Sequence, residues 1–216
     1  MCIRDRLSQN RAEEAINAGF FEREIDPVTL PDGSTVNTDD GPRAGTTYEK
    51  VSQLKPVFRP DGTITAGNAC PLNDGAAALV IMSDSKAKQL GLTPLARVVA
   101  TAATGLSPEI MGLGPIEAIR KVLRISGMSL SDIDLVEINE AFAVQVLGSA
   151  NELGIDHDKL NVSGGAIALG HPFGMTGARI TTTLLNNLQT RDKTFGIESM
   201  CVGGGQGMAM VLERLS

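Results

Sequence analysis

GGAIALGHPFGMTGAR, residues 164–179, places one of the chain's two histidines, His171, between a glycine-rich turn and the predicted start of a helix. Gly170 lets the backbone approach a neighbour closely, and Pro172 fixes the direction of the chain that follows. A histidine held in this way can act as a base or donate a hydrogen bond to a developing oxyanion. The alternative is a structural histidine, and the residue alone does not decide between the two.

Strands and helices are predicted to alternate on both sides of this stretch. Apolar runs predict strands at residues 75–82, 96–105, 133–138 and 161–164. Helical spacing and capping residues predict helices at residues 7–20, 83–91, 114–127, 140–154 and 176–189. A closing pair of strands, residues 193–202 and 207–215, is joined by GGGQ.

This alternation predicts the α/β class, with a mainly parallel sheet covered by helices and a final antiparallel hairpin. The run GAAALVIM, residues 75–82, predicts a strand buried on both faces. Residues 25–65 are rich in Pro, Gly, Asp and Thr and predict a long loop segment that is functional or packed on another part of the protein. Residues 1–6 continue no pattern and are a candidate for a spurious start fused to an interrupted coding frame.

Composition argues against several classes of function. A net charge of −6 provides no basic face for nucleic acid. No apolar run reaches the roughly 18 residues of a membrane helix, and the N-terminus lacks the apolar core of a secretion signal, so the expected location is cytoplasmic. Three cysteines without CxxC spacing suggest no disulfide framework, and with His157 and His171 as the only histidines no metal site is expected.

Three motifs follow predicted strands, at the ends where active groups of open α/β sheets gather. They are NEAFA from Asn139, GHPFG around His171 and CVGGGQG from Cys201. Glycines after Cys201 let backbone N–H groups converge on a negative oxygen, and a thiol beside them can be tuned towards thiolate. The alternatives are a small buried hydrophobic residue for Cys201 and a helix N-cap for Asn139.

Familiar nucleotide and esterase motifs do not fit the glycine-rich stretches. GGGQGM lacks the last glycine of GxGxxG, and GGAIALGHP has His and Pro where a phosphate loop needs Lys and Ser or Thr. No GxSxG is present, so an esterase-type nucleophile elbow is unsupported.

In this order, NEAFA, GGAIALGHPFGMTGAR and CVGGGQGMAM resemble the three carboxyl-terminal signatures of the thiolase family of acyl-CoA acyltransferases. TAGNACPLNDGAAALVIMS and MGLGPIEAIRKVL are similar to that family's middle region, and the resemblance runs from about Leu7 to the end. GNACPLNDG, GLSPEIMGLGP and GHPFGMTGAR are most similar to actinobacterial thiolases of lipid or steroid side-chain degradation. The resemblance implies a remnant of the amino-terminal domain with part of the CoA-binding loop domain at residues 1–91, and the carboxyl-terminal domain at residues 92–216.

The resemblance also implies a reaction, namely thiolytic cleavage of 3-ketoacyl-CoA or the reverse Claisen condensation. Coenzyme A is then a co-substrate, and no tightly bound cofactor is expected. His171 matches the base that activates a nucleophilic cysteine, and Cys201 matches the thiol that moves a proton at the substrate α-carbon or the departing CoA sulfur. His171 with a water held by Asn139 would stabilise one oxyanion, and the backbone N–H of Gly203 would stabilise the other.

CoA contacts follow from position in the match. Arg43 corresponds to a contact with the nucleotide end of CoA. Four residues correspond to the lining of the pantetheine channel: Phe58, Met111, Ala141 and Phe142. Core packing is the alternative for the three large side chains of this set. Cys70 and Pro71 depart from the family, since many thiolases carry Ser and Gly at these positions beside the pantetheine.

The nucleophilic cysteine of the family has no counterpart in this sequence, because Cys2 lies in an unmatched stretch and Cys70 lies in a different motif. The chain therefore corresponds to about the second half of the enzyme, and alone it is expected to be inactive and prone to aggregation through bare apolar surface. In complete form, the resemblance implies a homodimer or homotetramer. One alternative is a non-catalytic CoA-binding or dimerising remnant. Another is a ketoacyl synthase of the same fold superfamily, which is disfavoured because those enzymes generally lack a second cysteine at Cys201.

Overall fold

The computed structural model describes residues 2–216, with side chains from residue 6 onward. Met1 and the Cys2 side chain lie outside the described residues, so the interpretation of the N-terminus stays a prediction. The helices are α1 (Cys2–Asn17), α2 (Tyr48–Ser52), α3 (Asp84–Leu90), α4 (Gly114–Ser126), α5 (Ala143–Leu153), α6 (Ala166–Leu169) and α7 (Thr176–Thr190). The strands are β1 (Val28–Thr29), β2 (Thr35–Val36), β3 (Ala96–Gly105), β4 (Leu135–Ile138), β5 (Phe195–Val202) and β6 (Gln206–Arg214). Short 3-10 turns occupy Phe20–Arg23, Pro108–Leu113 and Leu130–Asp132.

A four-stranded sheet in the order β3-β6-β5-β4 organises the second half of the chain. The α/β class and the closing β5–β6 hairpin are confirmed. Within this sheet only β4 and β5 pair in parallel. β6 pairs antiparallel with β5 on one side and with β3 on the other. The predicted loop-rich segment contains only the small β1–β2 hairpin and α2.

Helix ends follow local sequence chemistry. The Ser83 side chain accepts the Lys86 N–H at the start of α3. Gly91 and Gly127 end α3 and α4 in the left-handed region, with φ of 67° and 70°. The helix predicted from residue 140 begins at Ala143 instead, with Phe142 at its N-cap. No helix in the described part of the chain is long and apolar enough to cross a membrane.

The predicted strand at residues 75–82 is wrong. Residues 71–83 form no regular hydrogen-bonded structure, and Val80 and Ile81 are 85% and 77% exposed. A strand needs a neighbour for its N–H and C=O groups, and no described strand pairs with this segment. The apolar run is consequently a bare surface, as expected for the isolated chain.

The predicted strand at residues 161–164 is also absent. Leu160 forms only an isolated bridge to Val136, and the chain then turns at Asn161, whose φ of 49° is left-handed. The Asn161 side chain makes two hydrogen bonds of 2.8 Å to the backbone of Ile138. These side-chain hydrogen bonds satisfy the backbone N–H and C=O of Ile138, which a neighbouring strand would otherwise pair with, and they hold the turn against the end of β4.

Helices cover both faces of the sheet. α4 and α5 pack on one face through a core that includes Ile119, Val146 and Ile197. α7 packs on the other face through Leu184 and Leu188. Gly196 of β5 permits this close approach, because a Cβ there would lie 2.8 Å from a Leu184 methyl.

α1 packs against α6, directly before the GHPFG loop. An apolar cluster joins the two helices: Ala12, Ala15, Phe20, Phe21, Ala168 and Leu169. Buried Gln9 also bridges, donating to the Ile167 carbonyl and accepting the Arg43 N–H. The N-terminal helix therefore supports the chain that leads into His171.

Candidate active site

The parallel β4 and β5 bring two of the predicted residues to one edge of the sheet. Asn139 follows β4, and its N–H donates to the Ser199 carbonyl of β5 at 3.0 Å. Cys201 lies two residues further along β5 as a free, buried thiol. Asn139 is 1% exposed, and neither polar atom of its side chain has a hydrogen-bond partner among the described residues. The N-cap alternative for Asn139 is wrong, since Phe142 holds that place.

The segment at residues 68–75 runs from this strand edge to His171. The Cys70 N–H donates to the Ala141 carbonyl at 3.0 Å, and burial, with a smaller contribution from nearby Cys201, raises the pKa of the Cys70 thiol. Three residues later, Asn73 Oδ1 accepts the His171 N–H at 3.1 Å. The three residues from Cys70 to Asn73 span at most about 11 Å. The His171 backbone, which is hydrogen-bonded to Asn73, therefore lies close to Cys70 and hence to the region of Cys201.

His171 is a half-buried imidazole held from several directions. Gly170, with φ of 90°, turns the chain into it, and Nδ1 lies 2.7 Å from Thr176 Oγ1. The Phe173 ring packs against the imidazole with ring centroids 5.0 Å apart. Burial, helped by the Arg179 cation, lowers the pKa of His171. The imidazole is therefore neutral at neutral pH and able to accept a proton.

The turn after Cys201 has a backbone that favours glycine. Gly203, Gly204 and Gly205 have φ of 58°, 70° and 134°, so side chains at these positions would be strained. Burial raises the pKa of the Cys201 thiol, which keeps its proton at neutral pH. The site thus pairs a neutral base with a protonated thiol.

A cleft of about 460 Å³ lies beside Phe142. Its lining comprises Phe58, Arg59, Gly62, Thr63, Ile64, Phe142 and Val144. The Phe58 and Phe142 rings meet edge to face with centroids 6.0 Å apart, and Phe58 is 68% exposed. Core packing therefore does not describe Phe58.

The other predicted CoA contacts do not belong to the lining of this cleft. Ala141 precedes Phe142 and uses its carbonyl to hold Cys70. Met111 lies in the Pro108–Leu113 turn, and the exposed Arg43 binds Gln9 only through its backbone N–H. Arg59 also lines the cleft and was not predicted from the sequence; its position directly after Phe58 is the only signal for it.

Glu140 and Asn161 also escaped the sequence reading, although they fix the loop before His171. Glu140, 0% exposed, accepts from Ser8 Oγ at 2.5 Å, Asn161 Nδ2 at 3.0 Å and the Ile167 N–H at 3.3 Å. These bonds join α1, the Asn161 turn and α6 at a single carboxylate. The loop that presents His171 is therefore anchored on both sides.

Glu198 of β5 should make stability depend on pH. Burial of its carboxyl raises the pKa from an ordinary 4.5 to about 7. As pH rises between these values the unfolded chain ionises first, so the folded state is progressively destabilised, by about 3 kcal/mol in all. The free energy of unfolding of Glu198→Gln, measured by urea denaturation, should equal that of the parent at pH 4.5 and exceed it at pH 8.

A Glu198→Gln variant with the same pH dependence as the parent would contradict the assignment of the raised pKa to Glu198.

Two family descriptions match the chain. "Thiolase, N-terminal domain" matches residues 7–85, and "Thiolase, C-terminal domain" matches residues 92–214. The chain belongs to the thiolase family. The expected family is thereby confirmed, whereas the finer resemblance to actinobacterial thiolases stays a prediction.

Curated and solved thiolases resemble this chain along almost its whole length. It is 52% identical over 212 residues to an acetyl-CoA acetyltransferase of Escherichia coli strain K12, covering 97% of this chain and 54% of the relative. The crystal structure of the Bacillus anthracis acetyl-CoA acetyltransferase superposes with a TM-score of 0.96 at 49% identity, covering 99% of this chain and 55% of that one.

Human mitochondrial 3-ketoacyl-CoA thiolase in complex with CoA superposes with a TM-score of 0.90 at 44% identity, covering 96% of this chain and 52% of that one. The thiolase chain described here spans about half the length of the relatives it matches.

Proposed function

We propose that the complete protein is a thiolase that cleaves 3-ketoacyl-CoA with CoA, or condenses two acyl-CoA molecules in the reverse direction. One observation carries the proposal: the segment at residues 70–73 links a neutral His171 imidazole to the neighbourhood of a buried, protonated Cys201 thiol. We also propose the division into an amino-terminal part, residues 1–91, and a carboxyl-terminal domain, residues 92–216.

In the first half-reaction, His171 takes the proton of a nucleophilic thiol that this chain does not supply. The sulfur attacks the 3-keto carbonyl, and the bond between the α- and β-carbons breaks. The electron pair passes to the departing acyl-CoA as an enolate, and Cys201 gives its proton to that α-carbon.

The second half-reaction restores the site. The Cys201 thiolate takes the proton of the CoA thiol, and the CoA sulfur attacks the acyl group on the nucleophilic cysteine. The cysteine leaves as a thiolate and recovers its proton from the His171 imidazolium. Each group ends in its starting protonation state.

Two groups are assigned to oxyanion stabilisation. The buried Asn139 amide, which has no partner in the part of the chain that the structure describes, suits the role of holding a water that acts with His171 on one thioester oxygen. The Gly203 N–H, in its left-handed turn after β5, serves the other oxygen.

The cleft between Phe58 and Phe142 is the proposed site of the pantetheine arm of CoA. Its apolar rings suit a flexible chain of that kind, and Arg59 suits a phosphate. Met111 and Ala141 stay predicted neighbours of the pantetheine, and Arg43 stays a predicted contact of the nucleotide end. CoA then acts as co-substrate, with no tightly bound cofactor.

The isolated chain is proposed to be inactive, because it supplies the base and the second thiol but no matching nucleophile. The second candidate is a non-catalytic CoA-binding or dimerising remnant, which the cleft and the bare apolar run at residues 79–82 favour. Assembly into a homodimer or homotetramer and the cytoplasmic location stay predictions.

Recovery of the complete coding sequence tests the proposal. The complete protein and the isolated chain are assayed with CoA and either acetoacetyl-CoA or a longer 3-ketoacyl-CoA. The complete protein should cleave at least one of the two substrates, and the isolated chain should cleave neither. A complete, folded protein without thiolysis of either substrate would remove the proposed function, and turnover by the isolated chain would remove its proposed inactivity.

A further inference from the structure

We propose that Thr176 is a positioning residue that holds His171 in the tautomer protonated at Nδ1. The tautomer itself follows from hydrogen bonding alone, and its catalytic meaning rests on the proposed function. In this tautomer the lone pair of Nε2 is available to accept a proton, which is what a base towards a thiol requires.

The contacts of the Thr176 hydroxyl determine where its proton lies. Oγ1 is 2.9 Å from the Pro172 carbonyl oxygen and 2.7 Å from His171 Nδ1. A hydroxyl carries one proton, and a carbonyl oxygen accepts but never donates. If the hydroxyl proton pointed to Nδ1, the two oxygens would face each other at 2.9 Å with no proton between them.

A single assignment satisfies both contacts. The Thr176 hydroxyl donates to the Pro172 carbonyl, and His171 Nδ1–H donates to Oγ1. The same carbonyl accepts the N–H groups of Met175 and Thr176 at 3.0 Å, so it is fixed as an acceptor by the start of α7. Among the described residues, no group forms a hydrogen bond with His171 Nε2.

The surroundings leave Thr176 little freedom to change partners. It is the first residue of α7 and 0% exposed, so water does not compete for its hydroxyl. Asn73 holds the His171 backbone and Phe173 packs against the ring, so the imidazole is held from two further directions. Burial, helped by the Arg179 cation one turn along α7, lowers the pKa of His171 and so favours the neutral ring, for which the tautomer matters.

The proposal is tested by nitrogen NMR on the complete protein labelled at the histidine rings. Long-range proton–nitrogen correlations distinguish a protonated from an unprotonated ring nitrogen, and His171→Gln, which removes one ring, identifies the signals of His171. Above the imidazole titration, His171 of the parent should carry its proton on Nδ1. Thr176→Val should lose this preference and show a mixture of tautomers, whereas Thr176→Ser, which keeps the hydroxyl, should restore it.

A parent spectrum with the His171 proton on Nε2 would overturn the proposal without any variant, so a variant that fails to fold does not prevent a decision. Retention of the pure Nδ1–H tautomer in a folded Thr176→Val variant would overturn it as well. If the parent shows the Nδ1–H tautomer while the complete protein lacks thiolysis, the hydrogen-bond assignment stands and the proposed function falls.

Discussion

Replacing Cys201 by serine in the complete thiolase should lower kcat by about 10²- to 10⁴-fold and leave KM within a few-fold of the parent value. The side chain is buried at the end of β5, so serine fits in its place. An alcohol at neutral pH does not form the anion that must take the proton of CoA, whereas a thiol does so readily. The loss therefore concerns proton transfer in the transition state rather than substrate binding.

Cys70→Ser is the matched control, because Cys70 is a second free thiol and lies near enough to Cys201 for Cys201 to contribute to its raised pKa. The proposed mechanism gives Cys70 no proton to move, so this variant should keep kcat within about tenfold of the parent. Both variants are compared by steady-state thiolysis. Parent-like turnover by Cys201→Ser, or an equal loss in the two variants, would remove the shuttle role of Cys201.

Most elements of the fold follow from local chemistry. Ser83 is an N-cap and Gly91 and Gly127 are left-handed C-caps, and each of these acts within one helical turn. The failures at residues 75–82 and at residues 161–164 have a different origin. An apolar run indicates that a segment favours burial. A strand also requires a neighbouring strand to pair with, and only the three-dimensional arrangement supplies one. At Asn161 a side chain substitutes for that partner.

Some residues of the candidate site could likewise be predicted from the sequence, and others could not. His171 and Cys201 could be singled out because their chemistry is rare in this chain and each lies next to glycines. Thr176, Asn73 and Glu140 could not, since Thr, Asn and Glu are common and their role depends on contacts across the fold. Glu140, for example, is joined to Ser8 over a separation of 132 residues. No local pattern encodes such a contact.

The guanidinium of Arg179 is the shared countercharge of four carboxylates, and removing it should cost stability through them. Its three nitrogen atoms are buried on α7 and form no hydrogen bond with the described residues. Burial lowers its pKa, and four carboxylates oppose this effect: Glu137, Glu24, Glu140 and Asp39. Two of these belong to the N-terminal segment and two to the end of β4, so one cation joins the two parts of the chain.

Arg179→Met should therefore destabilise the chain by about 3–5 kcal/mol, because it leaves buried carboxylates without their countercharge. Methionine retains much of the side-chain volume, so the loss is not one of packing. Burial already raises the pKa of Glu24 and Asp39, and Arg179 counteracts this in both. Without the cation, their carboxyl groups either ionise at a higher cost or stay protonated. The loss is measured as the change in unfolding free energy in urea at pH 7.

Arg179→Lys is the control, since it keeps the charge and loses only the planar guanidinium, and it should cost clearly less than Arg179→Met. The Met variant should also raise the pKa of His171, because the Arg179 cation contributes to lowering it in the parent; nitrogen NMR titration reports this shift at a single ring. If Arg179→Met were as stable as the parent with an unchanged His171 titration, the four carboxylates would have to be protonated or hydrated in the folded chain. The cation would then join nothing, and the two parts of the chain would be held by their remaining hydrogen bonds, among them those of Ser8, Gln9 and Asn73, and by the apolar contacts of α1.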